Sequence, residues 1–256
     1  MKETVGRSPS GVPLRRAGLT IAHLYPREMN LYGDTGNVLV LRRRLEWRGL
    51  PAEIVPVRQG DPIPADVDIL VGGGGQDAAQ GDIGTDFVAR GPQLRELAEA
   101  GVVVLAICGS YQLLGHRFVT HEGRDIPGVG ILDVETFGSS TRLIGNITVD
   151  SPEFGRLIGY ENHSGLTRLG AGATALGRTA AGRGNNGEDR GEGAVWRNVV
   201  GTYLHGPLLA KAPRLADELL RRALVRRGDL AEGDALAALD DRRADRAAEV
   251  AVTRPR

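Results

Sequence analysis

Val102-Val-Val-Leu-Ala-Ile107 is an unbroken apolar run, rich in β-branched residues, that starts after Gly101 and ends on Cys108-Gly-Ser. A strand with one wet face alternates polar and apolar residues. A strand with no alternation is buried on both faces, as in the interior of a parallel sheet covered by helices. The run delivers the only cysteine of the chain to a small-residue turn, and Tyr111-Gln-Leu-Leu-Gly115 leads out with a short helical pattern. Strand, tight turn and helix together read as a nucleophile elbow, which lifts a side chain above the carboxyl end of a sheet. There the N–H groups of a helix start can stabilise a thiolate and hold an oxyanion.

The segments before the elbow repeat the same alternation. Leu19–Leu24 reads as a first strand, and Asn37 to Trp47 has helical spacing through Val38, Leu41, Leu45 and Trp47, with Gly49 as a C-cap. Ala52–Val57 and Val67–Val71 read as strands, the second running into Gly72-Gly-Gly-Gly75, and Pro92 to Ala100 as a helix stopped by Gly101. This order predicts an α/β fold with a mostly parallel sheet flanked by helices. After Gly115 the pattern changes to short strand-like pieces, with residues 182–193 a loop by composition. Val195 to Tyr203 reads as a strand ending near His205, and Leu215 to Arg226 as an amphipathic helix. The expected organisation is a disordered leader over 1–17, one domain over 18–227, and a polar helical or frayed tail over 228–256.

Charge narrows the function. The 32 basic and 32 acidic residues cancel, so no long-range field draws the chain to nucleic acid or to an anionic membrane. One cysteine excludes an intramolecular disulfide framework. Residues 1–16 contain no apolar signal core, and no stretch approaches a membrane span, so a cytoplasmic location is expected. One cysteine and scattered histidines give no metal-ligand spacing, so no metal site is expected.

A lone cysteine is more often an inert buried thiol than a nucleophile. The elbow around Cys108 reverses that reading, and a cysteine nucleophile needs a base. Of the five histidines, His23 lies inside a strand, His116 at the end of the elbow helix, His121 in a polar turn and His163 in the irregular cluster Gly159-Tyr-Glu-Asn-His-Ser-Gly165. His205 follows a strand directly, in Gly201-Thr-Tyr-Leu-His-Gly-Pro207, and so belongs to the same sheet edge as Cys108. The Gly72–Gly75 run lacks the residues of a phosphate-binding loop. Beside a nucleophile, the N–H of Gly74 can pair with that of Gly109 as oxyanion donors.

These residues resemble the class I (triad) glutamine amidotransferases, with their flavodoxin-like sheet. The pattern G-x-C-x-G-x-Q of that family is met at Cys108 and Gln112, while Ala106 and Ser110 stand in place of its two glycines. A closer resemblance runs from about residue 19 to 220. It covers Leu24-Tyr-Pro with Asn30-Leu-Tyr-Gly-Asp34-x-Gly-Asn37, Gly73-Gly-Gly-Gln-Asp77, Ala106-Ile-Cys-Gly109, Tyr111-Gln-Leu-Leu-Gly115, Thr141-Arg-x-Ile-Gly-Asn146, Glu161-Asn-His-Ser-Gly165 and Gly201-Thr-Tyr-Leu-His-Gly-Pro-Leu208. These segments are similar to the glutamine amidotransferase subunits of lipid II isoglutaminyl synthases, in the cobyric-acid-synthase-like branch.

The resemblance implies a glutaminase that makes ammonia for a Mur-ligase-like partner subunit, which amidates the α-carboxylate of D-glutamate in lipid II. It implies a heterodimer, with ATP and Mg on the partner and no cofactor in this chain. It also implies that Gln112 and Arg142 bind the substrate. Most triad enzymes carry a carboxylate two residues after the histidine, and here Pro207 stands there. The resemblance therefore implies that the partner supplies the third carboxylate. Three other readings compete: a glutaminase subunit of a different synthetase of the cobyrinate type, a non-catalytic scaffold of the same fold, and a cysteine protease.

Overall fold

The computed structural model of the chain describes residues 18–75 and 80–254. The predicted leader over 1–17, and Gln76 and Asp77 of the glycine-loop motif, lie outside the described residues.

The first half alternates strand and helix: β1 (Leu19–Leu24), α1 (Thr35–Glu46), β2 (Ala52–Val57), β3 (Ile69–Gly72), α2 (Gln80–Ala89), α3 (Gly91–Glu99), β4 (Val103–Ile107) and α4 (Gly109–Leu114). The middle is β5 (Arg117–Val119), β6 (Asp125–Pro127), β7 (Val134–Ser151), β8 (Gly155–Leu169), β9 (Gly177–Ala181) and β10 (Gly191–Glu192). The chain ends with β11 (Ala194–Trp196), β12 (Val199–Thr202), α5 (Pro213–Arg227) and α6 (Arg242–Thr253).

The main sheet has the order β11-β12-β4-β3-β1-β2, and all neighbours are parallel except the β11–β12 hairpin. Every residue of β1, β3, β4 and β12 is buried, which is what their non-alternating apolar sequences require. β2 is the edge strand and is only partly covered. α5 packs Leu215, Ala216, Leu219, Leu220, Ala223 and Leu224 inward at helical spacing and stops at Gly228, whose left-handed φ of 74° suits glycine. Arg44 of α1, almost fully buried, forks onto Asp217 of α5 and Asp241 just before α6, with N–O distances of 2.6 Å to each, and so ties three helices together.

The second sheet is where the sequence reading falls short. Instead of short pieces, β7 and β8 form one long antiparallel hairpin, at the centre of a mixed sheet ordered β10-β9-β7-β5-β6 with β8 on the other side of β7. Gly138, Gly145, Gly159 and Gly165 interrupt the strand pattern and made these strands look like loops, but cross-strand pairing carries the chain through them. His163, expected in an irregular cluster, is a β8 residue facing Leu143. The strand expected to run unbroken from Val195 to Tyr203 turns back at residues 197–198, where Arg197 takes a positive φ of 50°. α2 was not foreseen. Residues 242–253 of the tail form α6 along the β7–β8 hairpin, with Asn146 donating from its amide to the carbonyls of Ala251 and Arg254.

Candidate active site

β4 and β12 are adjacent and parallel, so residues just past their ends meet at one sheet edge. Cys108 follows β4 and His205 follows β12. Cys108 has φ 52° and ψ −106°, outside the regions comfortable for an L-residue. Such a conformation costs about 1–3 kcal/mol and survives only where its surroundings force it. They do so here. The Cys108 N–H donates to the Thr202 carbonyl at 2.8 Å, the Cys108 carbonyl accepts from the Gln112 N–H at 2.9 Å, and the Ser110 hydroxyl donates to the Gly73 carbonyl at 2.8 Å. A side chain at Gly72 would strike Ser110, since an added Cβ would lie 2.5 Å from its Oγ. Small residues on both sides let the turn close.

This strain is measurable. Cys108→Gly and Cys108→Ala both remove the thiol, but only glycine relieves the positive φ. Against glycine's backbone entropy cost of about 0.5–1 kcal/mol, the relief of about 1–3 kcal/mol dominates. Chemical denaturation should show the glycine variant more stable than the alanine variant by roughly 1 kcal/mol. Equal midpoints would mean the elbow is unstrained.

His205 is fully buried. Its backbone is clamped to β8, with its N–H donating to the Tyr160 carbonyl at 2.9 Å and its carbonyl accepting from the Tyr160 N–H at 3.3 Å. The Tyr32 ring leans on the imidazole with centroids 4.5 Å apart. A carboxylate that the sequence reading did not assign to the site sits beside it: Asp34 Oδ2 is 3.6 Å from His205 Nδ1, with both side chains shut off from solvent. Burial opposes the imidazolium charge, but Asp34 and then Cys108 outweigh it and raise the His205 pKa to about 10. His205 is therefore held as the imidazolium beside Cys108.

The glycine run explains how Asp34 arrives there. The loop between β1 and α1 lies directly on residues 72–75. An added Cβ on Gly73 would come within 2.1 Å of the Met29 carbonyl oxygen, and one on Gly74 within 2.8 Å of His205 Cε1. The start of α1 is likewise pressed on the His205 loop. Gly36 touches Pro207, and the Asn37 side chain accepts from the Leu209 N–H at 2.9 Å. Of the two expected oxyanion donors, the N–H of Gly109, at the first position of α4, has no intrahelical acceptor. The Gly74 N–H donates to Asp34 Oδ2 at 2.8 Å, so it reaches an oxyanion only when that bond opens.

Gln112 and Arg142 differ in exposure. Gln112 is buried, and its amide donates to the Tyr203 hydroxyl at 3.1 Å, within a chain of buried hydroxyls through Thr167 to Thr136. Arg142 is exposed. Between Gly138 and Leu143 the β7–β8 register shifts, so residues 139–142 bulge out and bring Arg142 back over Asn162, with Nε donating to Oδ1 at 3.1 Å. Arg142 interacts electrostatically with Tyr32 and His163, both neighbours of the Cys108–His205 pair, and it lines a cleft of about 570 Å³ with His121 and Ser139.

His163 stacks flat on Tyr203 at 3.5 Å and donates from Nδ1 to the Gly165 carbonyl, and burial lowers its pKa to about 4, so it is neutral. His23 is buried in β1, with its pKa lowered by burial. His116 is exposed, with Nε2 2.9 Å from Asp133 Oδ1. Among the described residues no cluster of three or more histidine, cysteine or acidic side chains could hold a metal ion, and no helix is long and apolar enough to cross a membrane.

A strained cysteine elbow, a buried histidine at the same sheet edge and a glycine loop between them fit one established family. Residues 20–213 match the profile of the CobB/CobQ-like glutamine amidotransferase domain. The chain belongs to that family. It is 40% identical over 211 residues to the lipid II isoglutaminyl synthase (glutamine-hydrolyzing) subunit GatD of Staphylococcus aureus, across 82% of this chain and 86% of that one. The corresponding subunit of Streptococcus pneumoniae is 39% identical over 212 residues, across 82% of each chain. A crystal structure of a glutamine amidotransferase superposes with a TM-score of 0.52 at 18% identity, over 82% of this chain and 100% of that one, which shows the shared fold.

Nothing in the sequence next to His205 announced Asp34. The only signal was its place in the Gly33-Asp34-x-Gly36-Asn37 run, which the resemblance covered without giving it a role.

Proposed function

We propose that this chain is the glutamine-hydrolysing subunit of a lipid II isoglutaminyl synthase. The observation that carries the reading is the buried Cys108–His205 pair at the main sheet's edge, in a chain that keeps 40% identity to such subunits over most of its length. Cys108 thiolate attacks the side-chain carboxamide carbon of glutamine, and the N–H of Gly109 faces the oxyanion. His205 gives its proton to the leaving ammonia. Water, deprotonated by His205, then cleaves the thioester to glutamate. Arg142 and Gln112 bind the substrate glutamine. The ammonia passes to a Mur-ligase-like partner that holds ATP and Mg and activates the α-carboxylate of D-glutamate in lipid II, in the cytoplasm.

Hydrolysis by the isolated chain is expected to be slow. The Gly74 N–H is occupied, and loss of one oxyanion donor typically costs about 10²–10³-fold in turnover. Docking of the partner completes the site. Copurification with the chain identifies that partner, and glutaminase rates with and without it are the test. A rise of roughly 10²-fold on adding the partner agrees with the proposal; identical rates would remove the partner from the catalytic account. Amidation of a cobyrinate-type acceptor in place of lipid II by the reconstituted pair would reassign the synthetase.

A further inference from the structure

We propose that Tyr25 is the positioning residue for the glycine loop and the elbow: a strained turn at the end of β1, anchored by its hydroxyl, that holds Met29 against Gly73 and Ser110. The proposal rests on reading Cys108 as the nucleophile with oxyanion donors beside it. It deepens that reading by naming what fixes the backbone of those donors.

Among the described residues, four that are not glycine take a positive φ: Tyr25, Cys108, Arg190 and Arg197. Tyr25 and Cys108 are each the first residue after a parallel strand, β1 and β4, at the carboxyl edge of the main sheet. Tyr25 has φ 47° and is fully buried. For a bulky aromatic residue that conformation is an outlier, which persists only where the surroundings force it. Here they come from several elements. The Tyr25 N–H donates to the Val57 carbonyl at the end of β2 at 2.7 Å, and the Tyr25 carbonyl accepts from the Met29 N–H at 2.9 Å. The phenol donates to Asp86 Oδ2 of α2 at 2.7 Å. Asp86 is held in turn by Arg90 Nε at 2.6 Å and by the Gly60 N–H at 3.2 Å, and the Arg90 guanidinium stands over the Tyr25 ring, 5.9 Å from its centroid. Burial and then the bond to Asp86 keep the phenol well above its ordinary pKa, so it stays a donor.

The turn delivers Met29 to the site. The Met29 carbonyl lies against Gly73, and the Met29 side chain covers Gly75, where an added Cβ would stand 3.6 Å from its Cγ. Met29 Sδ is 3.7 Å from the Ser110 hydroxyl, and the N–H and O–H of Ser110 both donate to the Gly73 carbonyl, at 3.3 and 2.8 Å. Two residues further on, the Leu31 N–H donates to the Gly74 carbonyl at 3.2 Å. Residues 29–31 are thus laid along residues 73–75, and Ser110 of the elbow is bound into the same contact. β3 ends at Gly72, so Gly73–Gly75 lie beyond the sheet ladder. A glycine run has wide backbone freedom and no side chains to pack, so the chain lying on it sets its geometry. The Asp86 bond also joins the turn to α2, the helix that follows the glycine loop in the chain. One hydroxyl therefore ties together the two segments that bracket the loop, and through Ser110 it reaches the neighbour of the Gly109 N–H.

The test is Tyr25→Phe, which removes one oxygen atom and keeps the ring. In the complex with the partner, glutamine kcat should fall about tenfold or more with KM little changed, because a displacement of about 1 Å at reacting groups costs about 10²-fold. Ammonia-dependent amidation should persist. Hydrogen exchange on the full chain supplies a readout that a merely structural hydroxyl would not move. The hydrogen-bonded amides of Met29, Gly74 and Ser110 should exchange about tenfold faster, while those of Leu219 and Leu220 in α5 keep the parent's rates. Equal acceleration at all five amides would mean general loss of stability and would overturn the proposal. So would parent values of kcat and exchange. Asp86→Ala removes the acceptor and keeps the tyrosine, and it serves if Tyr25→Phe does not fold. It should give the same fall in kcat and the same local exchange, and parent values there would count equally against the proposal. If the unaltered complex fails to hydrolyse glutamine while Tyr25→Phe still speeds exchange at Met29, Gly74 and Ser110 alone, the glutaminase reading fails and the positioning of the loop by Tyr25 stands.

Discussion

Cys108→Ala should reduce glutamine hydrolysis to background while leaving a folded protein. In the proposed mechanism the thiol sulfur is the attacking atom, and loss of a nucleophile that works with its base as a unit costs about 10⁴–10⁶-fold in kcat. The structural cost is small. Cys108 is 8% exposed, and replacing its thiol with a hydrogen forfeits roughly 1 kcal/mol of burial. The decisive measurement is made on the complex with its partner, comparing glutamine and free ammonia as nitrogen sources. Glutamine-dependent amidation should vanish and ammonia-dependent amidation should persist, because the ligase step does not use the thiol. If ammonia also fails, Cys108 supports the assembly and is not its nucleophile. If glutamine still works, the elbow is not the active site.

Gly74→Ala should have the next largest effect, for a reason that only the fold reveals. The added methyl group would sit 2.8 Å from His205 Cε1, closer than real Cβ atoms pack, and a tight 3.2 Å from Cys108 Cβ. None of the neighbours gives way easily. The His205 backbone is paired to Tyr160, its ring is backed by Tyr32, and Cys108 is held in a strained turn. The imidazole must therefore shift away from the sulfur or the glycine loop must lift. A displacement of about 1 Å between reacting groups is worth about 10²-fold in rate. Glutamine turnover should fall by that factor or more, with ammonia-dependent amidation by the complex kept. Gly84→Ala in α2 is the control. There an added Cβ finds its nearest neighbours at an ordinary 3.9 Å, and alanine favours the helix. Full glutamine turnover by Gly74→Ala would show that the histidine does not depend on the close packing described.

How much of this was legible before folding differs from residue to residue. β4 and the Cys108 elbow were visible because a strand buried on both faces must be apolar throughout and a sharp turn must use small residues. Both demands are local. His205 was visible because parallel strands put their carboxyl ends on one edge, so a histidine just past a strand has few other places to be. The β7–β8 hairpin was not legible. Its stability lies in pairing between strands and in burial of one face, and its glycines lower strand propensity at every window in which they are read. The same pairing decides where Arg142 stands, since the bulge that turns it toward Asn162 is a property of two strands in register.

Sequence alone determined the candidate nucleophile, its candidate base by position, the parallel α/β sheet and the family resemblance, because each is written in contiguous residues or in ordered motifs. Tertiary structure decided the carboxylate. Asp34 and His205 lie near opposite ends of the chain, and no spacing rule joins them. They meet because β1 and β12 belong to one sheet, because Gly72–Gly75 allow a loop to lie flat on their backbone, and because Gly36 and Asn37 lock the start of α1 onto residues 207–209. Proximity across that distance is a consequence of packing, and packing is settled only when the whole core forms.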